Sequence, residues 1–257
     1  MPRPLLEEAA ASLDVPMGLL PLVPDLFAGM FALGSSPDAI VRMVRPHVAP
    51  GARALDLGCG KGAVGLALAV RQGLEVLGVD AIQALVDEAN RRAEKREITA
   101  RCRFVCADLR SALDGPDDQD LVLLVGVGPV LGDARATVGA LRQRVRHGGL
   151  MLIDDAFRAS GMMNMGPEYE AYASYAETMR RLLSHGDVLV DESVPPARRV
   201  AREQARLVRA LARRARALAR RHPDQAEALL DFAVMQQRRA ADDAVTLRYA
   251  TWLLRRS

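Results

Sequence analysis

The chain has 257 residues, 50% apolar, 26% charged and only 4% aromatic, with a formal charge of +3. That is ample for a packed α/β core with an insertion, and it excludes wholesale disorder and collagen-like or low-complexity fibres. Glu7 and Glu8 interrupt any secretory leader, and the apolar run 121–131 is short and holds Gly126, Gly128 and Pro129, so a cytoplasmic protein with no membrane partner is expected.

The first fifty residues read as helices. Residues 4–13 form a short amphipathic candidate, 19–33 a stretch broken by Pro21 and Pro24, and Ser36-Pro37 opens a helix to about residue 48. Strand and helix then alternate: strand from 53, helix 63–72, strand 74–79, helix 82–95, strand 103–107, strand 121–127, helix 133–145 and strand 149–153. Short connections between such elements imply parallel strands joined by right-handed crossovers, with the site at the carboxyl ends of the strands. Beyond Phe157 come a methionine-rich loop (160–167), a helix 168–184, a strand 188–194 and a helix to 221. A second helix follows over 225–241, then a β-rich closing segment 246–254 for which a helical reading stays open. The expected fold is a doubly wound, mostly parallel seven-stranded sheet. It divides into a helical cap (1–50), a core (51–157), a loop, helix and sixth strand (158–194), a helical hairpin (195–243) and a closing strand (244–257).

Cys59, Cys102 and Cys106 lack metal-ligand spacing, and the last two lie too far apart along one strand for a disulfide. They read as small buried hydrophobes, and no metal is implied.

The informative stretch is Asp56-Leu-Gly-Cys-Gly-Lys-Gly-Ala-Val-Gly65. Its glycines allow a tight turn and let a ligand lie against bare backbone at a helix N-terminus. Gly60-x-Gly62-x-x-Gly65 formally matches a dinucleotide fingerprint, but Asp56, Asp80 and Asp108 at three successive strands would repel a pyrophosphate. They suit a phosphate-free cation with hydroxyl and amino donors.

DLGCGKG, then GVD, then CAD at these spacings resembles the class I S-adenosyl-L-methionine-dependent methyltransferases over residues 50–157. The resemblance implies S-adenosyl-L-methionine as cofactor and S-adenosyl-L-homocysteine as product. Asp56 and the backbone of Gly58, Cys59, Gly60 and Gly62 would hold the methionine moiety. Asp80, with Ala81 and Ile82 beside it, would take the ribose diol, Asp108 and Leu109 the adenine, and Gly126 and Val127 would line the methyl-transfer side. RHGGLMLIDD is similar to the family's fifth-strand segment, though Arg146-His147 replaces its usual lysine–proline pair, and ATWLL to its closing strand.

The implied reaction is in-line displacement, where holding acceptor and methyl in line contributes about 7–11 kcal/mol and leaves a dedicated base optional. Gly126-Val-Gly-Pro129 lacks the Asn/Asp-Pro-Pro-aromatic motif of amino-group methyltransferases acting on bases or glutamine. Asp154-Asp155 resembles the acids of metal-dependent catechol-type enzymes without their companions, leaving Asp155 a general-base or structural candidate. A small, partly apolar acceptor is expected against Phe27, Phe31, Phe157, Tyr169, Tyr172 and the methionines 162, 163 and 165, with Tyr172 and Tyr175 sharing a helix face. The stretch 198–221 holds ten arginines and one acid, a charge of +9 that leaves −6 for the rest. It reads as a solvated face pairing with acids elsewhere. The alternatives are an RNA methyltransferase using this helix and a catalytically silent cofactor-binding protein.

Overall fold

The computed structural model describes residues 1, 3–32, 36–160, 166 and 169–257. Seven strands form one sheet: β1 (Arg53–Leu57), β2 (Glu75–Asp80), β3 (Cys102–Cys106), β4 (Gln119–Val125), β5 (Val145–Arg158), β6 (Val188–Ser193) and β7 (Leu247–Arg255). Their order is β3-β2-β1-β4-β5-β7-β6; β1 to β5 run parallel, and β7 is antiparallel to both its neighbours. The doubly wound, mostly parallel sheet expected from the sequence is the one formed. Because β1 pairs with both β2 and β4, the strand order reverses at its carboxyl end, and a crevice opens there.

Period-two alternation along buried strands serves two layers at once. Leu121 and Leu123 of β4 pack with α3 (Pro37–Val44), α4 (Ala63–Gln72) and α5 (Gln83–Glu94). Val122 and Leu124 pack on the other face with α6 (Ala134–Leu141) and α7 (Tyr175–Leu182). A third cluster lies off the sheet. It joins a 3-10 turn (Met17–Leu22) and α2 (Val23–Leu26) to the hairpin of α8 (Ala197–Arg221) and α9 (Ala226–Thr246). The first helix, α1 (Arg3–Ser12), leans on this cap. No single described helix is long and apolar enough to cross a membrane.

Several boundaries differ from those expected. α3 stops at Val44 rather than near 48: Arg45 is still helical and bonds the Val41 carbonyl, but Pro46 has no amide N–H to carry the ladder further. The fifth strand is much longer than 149–153: Leu150 to Arg158 pairs residue for residue with β7, and the acids that hid the strand are accommodated there, Asp154 accepting from the Thr251 hydroxyl. The closing segment is a strand, which removes its helical reading. The helix expected over 168–184 spans only Tyr175–Leu182, opened by Ser174, whose side chain accepts from the Glu177 amide at 3.3 Å. Tyr172 lies before that cap, so it and Tyr175 share no helix face. Met162, Met163 and Met165 fall outside the described residues.

Candidate cofactor cleft

Asp56 is the fourth residue of β1 and is only 2% exposed. Its Oδ2 accepts the Gly65 amide at 3.2 Å, tying the strand to the first turn of α4. Burial, reinforced by the charge of Asp80, lifts its carboxyl to about 7 against the weaker opposing pull of that amide. Between strand and helix the chain turns through Gly58, Gly60 and Gly62, all at positive φ. A Cβ on Gly60 would meet nothing within 4 Å, so this backbone presents a bare face.

Asp80 closes β2 and organises the loop. One oxygen accepts the Gly60 amide at 2.8 Å and the other the Ile82 amide at 2.9 Å. Burial raises its pKa while these amides oppose the rise. Each ionised oxygen keeps a second lone pair, so hydroxyls can still be accepted. Asp108, after β3, accepts from the amide and Nε of Arg110, and Arg110 also pairs with Glu8 of α1. The cap is thereby tied across the third acid.

These residues border one cleft of about 270 Å³. Asp56, Gly58, Cys59, Gly60, Asp80, Ala81, Ile82, Asp108, Leu109, Gly126, Val127, Phe27 and Phe31 all line it. Gly62 does not. It precedes α4 with φ +71°, and a Cβ there would stand 2.6 Å from the Phe104 ring, so glycine serves packing rather than ligand contact.

Four other expected residues lie elsewhere. Phe157 packs edge-on to Tyr175, with ring centroids 5.1 Å apart, and against Trp252, because the extension of β5 carries it into the core. Tyr169 is buried, its hydroxyl donating to Asp243 at 2.9 Å under the Arg239 guanidinium. Tyr172 and Asp155 line a separate small recess beside Trp252. Burial pushes the Asp155 carboxyl to about 6 and the Tyr172 phenol to about 12.

In their place the helices supply the outer wall: Leu5, Ala9 and Leu13 near the N-terminus, Leu207 and Leu211 of α8, and Gln236 of α9. Gln236 donates to the Asp14 carbonyl at 3.2 Å, joining hairpin to cap. The Asp14 side chain borders the cleft and has no hydrogen bond or ion pair among the described residues. Burial raises its pKa. Lys61 is a further residue the motif did not single out. Fully buried, its ammonium donates to the Phe27 carbonyl at 2.7 Å and pairs with Glu88 at 3.2 Å, which fastens glycine loop, cap and α5 together. Its pKa falls because burial outweighs Glu88. A lysine within a glycine loop, in a chain with only one other lysine, was the signal available.

The three cysteines are free thiols, as expected; burial raises Cys59 well above its usual range and pushes Cys102 up to about 12. The cleft therefore combines carboxylate acceptors, bare glycine backbone and the apolar side chains of Ile82 and Leu109. That set of acceptors fits a cationic nucleoside such as S-adenosyl-L-methionine and offers little to hold a pyrophosphate.

Residues 54–149 match the family model described as a methyltransferase domain. An uncharacterised Escherichia coli protein, YjhP, is 30% identical over 108 residues, 42% of this chain and 43% of the relative. The chain spans less than half the length of the curated relatives it matches. Among solved structures, a methyltransferase from Geobacter sulfurreducens crystallised with S-adenosyl-L-homocysteine is similar at a TM-score of 0.78 and 20% identity, over 94% of this chain and 98% of that one. Its counterpart from Thiobacillus denitrificans gives 0.76 at 19% identity, over 91% and 97%. Residues 54–149 are thus similar to a methyltransferase domain, and the chain as a whole shares the fold of these two solved S-adenosyl-L-methionine-dependent methyltransferases.

Proposed function

We propose that the chain is an S-adenosyl-L-methionine-dependent methyltransferase acting on a small, largely apolar acceptor. The observation that carries this reading is the convergence of Asp56, Asp80 and Asp108 with the bare backbone of Gly60 on one cleft. When bound, the cofactor supplies a methyl group already activated by its sulfonium. The protein's own part is to bind, orient and exclude water. Asp56 stands where a positive charge lowers its proton affinity, Asp80 and Asp108 offer acceptors to hydroxyl and amino donors, and Val127, just past β4, borders the cleft against Gly58.

The acceptor side is supported by its walls. Phe27, Phe31, Leu207 and Leu211 offer apolar surface, while Asp14 and Gln236 add a polar edge. Calorimetric titration with S-adenosyl-L-homocysteine, followed by turnover of radiolabelled cofactor on a panel of small amines, phenols and carboxylic acids, tests both statements. Binding with turnover is expected. Absence of binding at millimolar concentration sinks the cofactor reading, and binding without turnover on any acceptor leaves the silent binder.

A further inference from the structure

Seven arginines of α8, at 198, 202, 206, 209, 213, 216 and 220, recur at steps of three or four residues. At 100° per residue they fall within a sector about 80° wide, along a line about 33 Å long with steps of about 4.5–6 Å. All seven are exposed. They do not pair with acids elsewhere, contrary to the sequence expectation: the one ion pair of α8 among the described residues is Arg199–Glu203, to the side of this line.

We propose that this stripe docks the phosphate backbone of a nucleic acid, without regard to base sequence. Its length calls for an extended polyanion rather than a small anion. Guanidinium forks match phosphate, while the lack of aromatic side chains on the stripe removes base stacking. An anionic bilayer fits less well. Helices that lie in a membrane surface sink an apolar face into it, and that face of α8 (Val208, Leu211, Ala215, Leu218) is already spent on the fold. The −6 charge of the remaining chain confines such contact to this helix. Leu207 and Leu211, which border the cleft, lie on the opposite side of α8 from the arginines. The docked polymer is therefore a tether and not the methyl acceptor, and the inference stands apart from the catalytic reading.

The test is fluorescence anisotropy on the full chain with a labelled mixed-sequence 20-nucleotide RNA, single-stranded and as a duplex, from 50 to 200 mM salt. Affinity is expected to fall about a hundredfold over that range, the response of roughly five phosphate contacts. Replacing Arg206, Arg209, Arg213 and Arg216 with Ala should lower the salt slope by about 3. Removing the same charge elsewhere (Arg42, Arg45, Arg91 and Lys95 to Ala) should leave the slope unchanged, as should the cofactor affinity of both variants. No binding at 50 mM salt overturns the proposal, as does equal loss in the two variants. Co-sedimentation with phosphatidylserine vesicles in place of RNA binding assigns the stripe to lipid and likewise overturns it.

Discussion

The two walls of the cleft are built in different ways. The sheet wall is made of local pieces: Asp56 bonds Gly65, and Asp80 bonds Gly60 and Ile82, so acids near strand ends are fixed by amides of the adjoining loops and of the first turn of α4. The helical wall is assembled from side chains as distant as Leu5 and Gln236, brought together by apolar packing and a few long-range bonds such as Gln236 to Asp14. A motif can specify the first wall almost alone. The second depends on tertiary docking, and it is where an acceptor would be selected.

The sheet wall should break most completely at Gly62. Gly62→Ala adds a Cβ 2.6 Å from the Phe104 ring and forces alanine to φ +71°. Left-handed strain and overpacking together cost about 4 kcal/mol. Chemical denaturation should show that loss; a variant as stable as the parent would mean that the loop is not pinned against β3.

Asp56 gives the next largest effect, read through pH. Its folded pKa of about 7 lies above the usual value of 3.8, so below pH 4 both states are protonated and its contribution is intact. That contribution is lost as pH rises from 4 through 7, by about 2–3 kcal/mol after allowing for relaxation around the buried charge. A bound cation reverses the preference, so affinity for S-adenosyl-L-homocysteine, which retains its ammonium, should rise between pH 6 and 8. Calorimetry on the parent and on Asp56→Asn checks both trends. Asp56→Asn should flatten each of them.

The same contrast explains what could be read beforehand. The strand-end acids and the glycine loop were legible because their chemistry is carried by contiguous residues at fixed offsets. The core strands were legible because burial on both faces leaves continuous apolar runs. Phe157, Tyr169 and Tyr172 misled because residue type cannot tell a ligand wall from a core: pairing of β5 with β7 carries Phe157 inward, and Asp243 of α9 claims the Tyr169 hydroxyl. Leu207 and Leu211 recur at the spacing of an amphipathic helix's apolar face, but only the docking of α8 on α2 brings them to the cleft.

Asp80→Ala sharpens the sheet side at a smaller scale. It removes the acceptor for the Gly60 and Ile82 amides and, on the proposed reading, for the ribose diol. Affinity for S-adenosyl-L-homocysteine should fall by about 2 kcal/mol, the scale of a hydrogen bond to a charged group. Unchanged affinity in a folded variant would move the ribose elsewhere.

The smallest effect should come at Asp155, which tests where the cleft ends. Its carboxylate accepts its neighbour's amide, from Ala156, at 2.8 Å, and it lines the recess beside Tyr172 and Trp252 rather than the cleft. Burial holds its pKa near 6, so at pH 7.5 it is a charge kept in a poorly solvated place. Asp155→Asn removes that charge while keeping an acceptor for the amide. Cofactor affinity should change by less than about twofold, or 0.4 kcal/mol. Stability at pH 7.5 should hold or rise slightly, because the contribution of a raised carboxyl is already lost above its folded pKa. Turnover decides the matter. A fall of more than about tenfold at unchanged cofactor affinity, equal to 1.4 kcal/mol in the barrier, would put this carboxylate at the reacting atoms. The acceptor chamber would then take in the recess beside Tyr172 and Trp252.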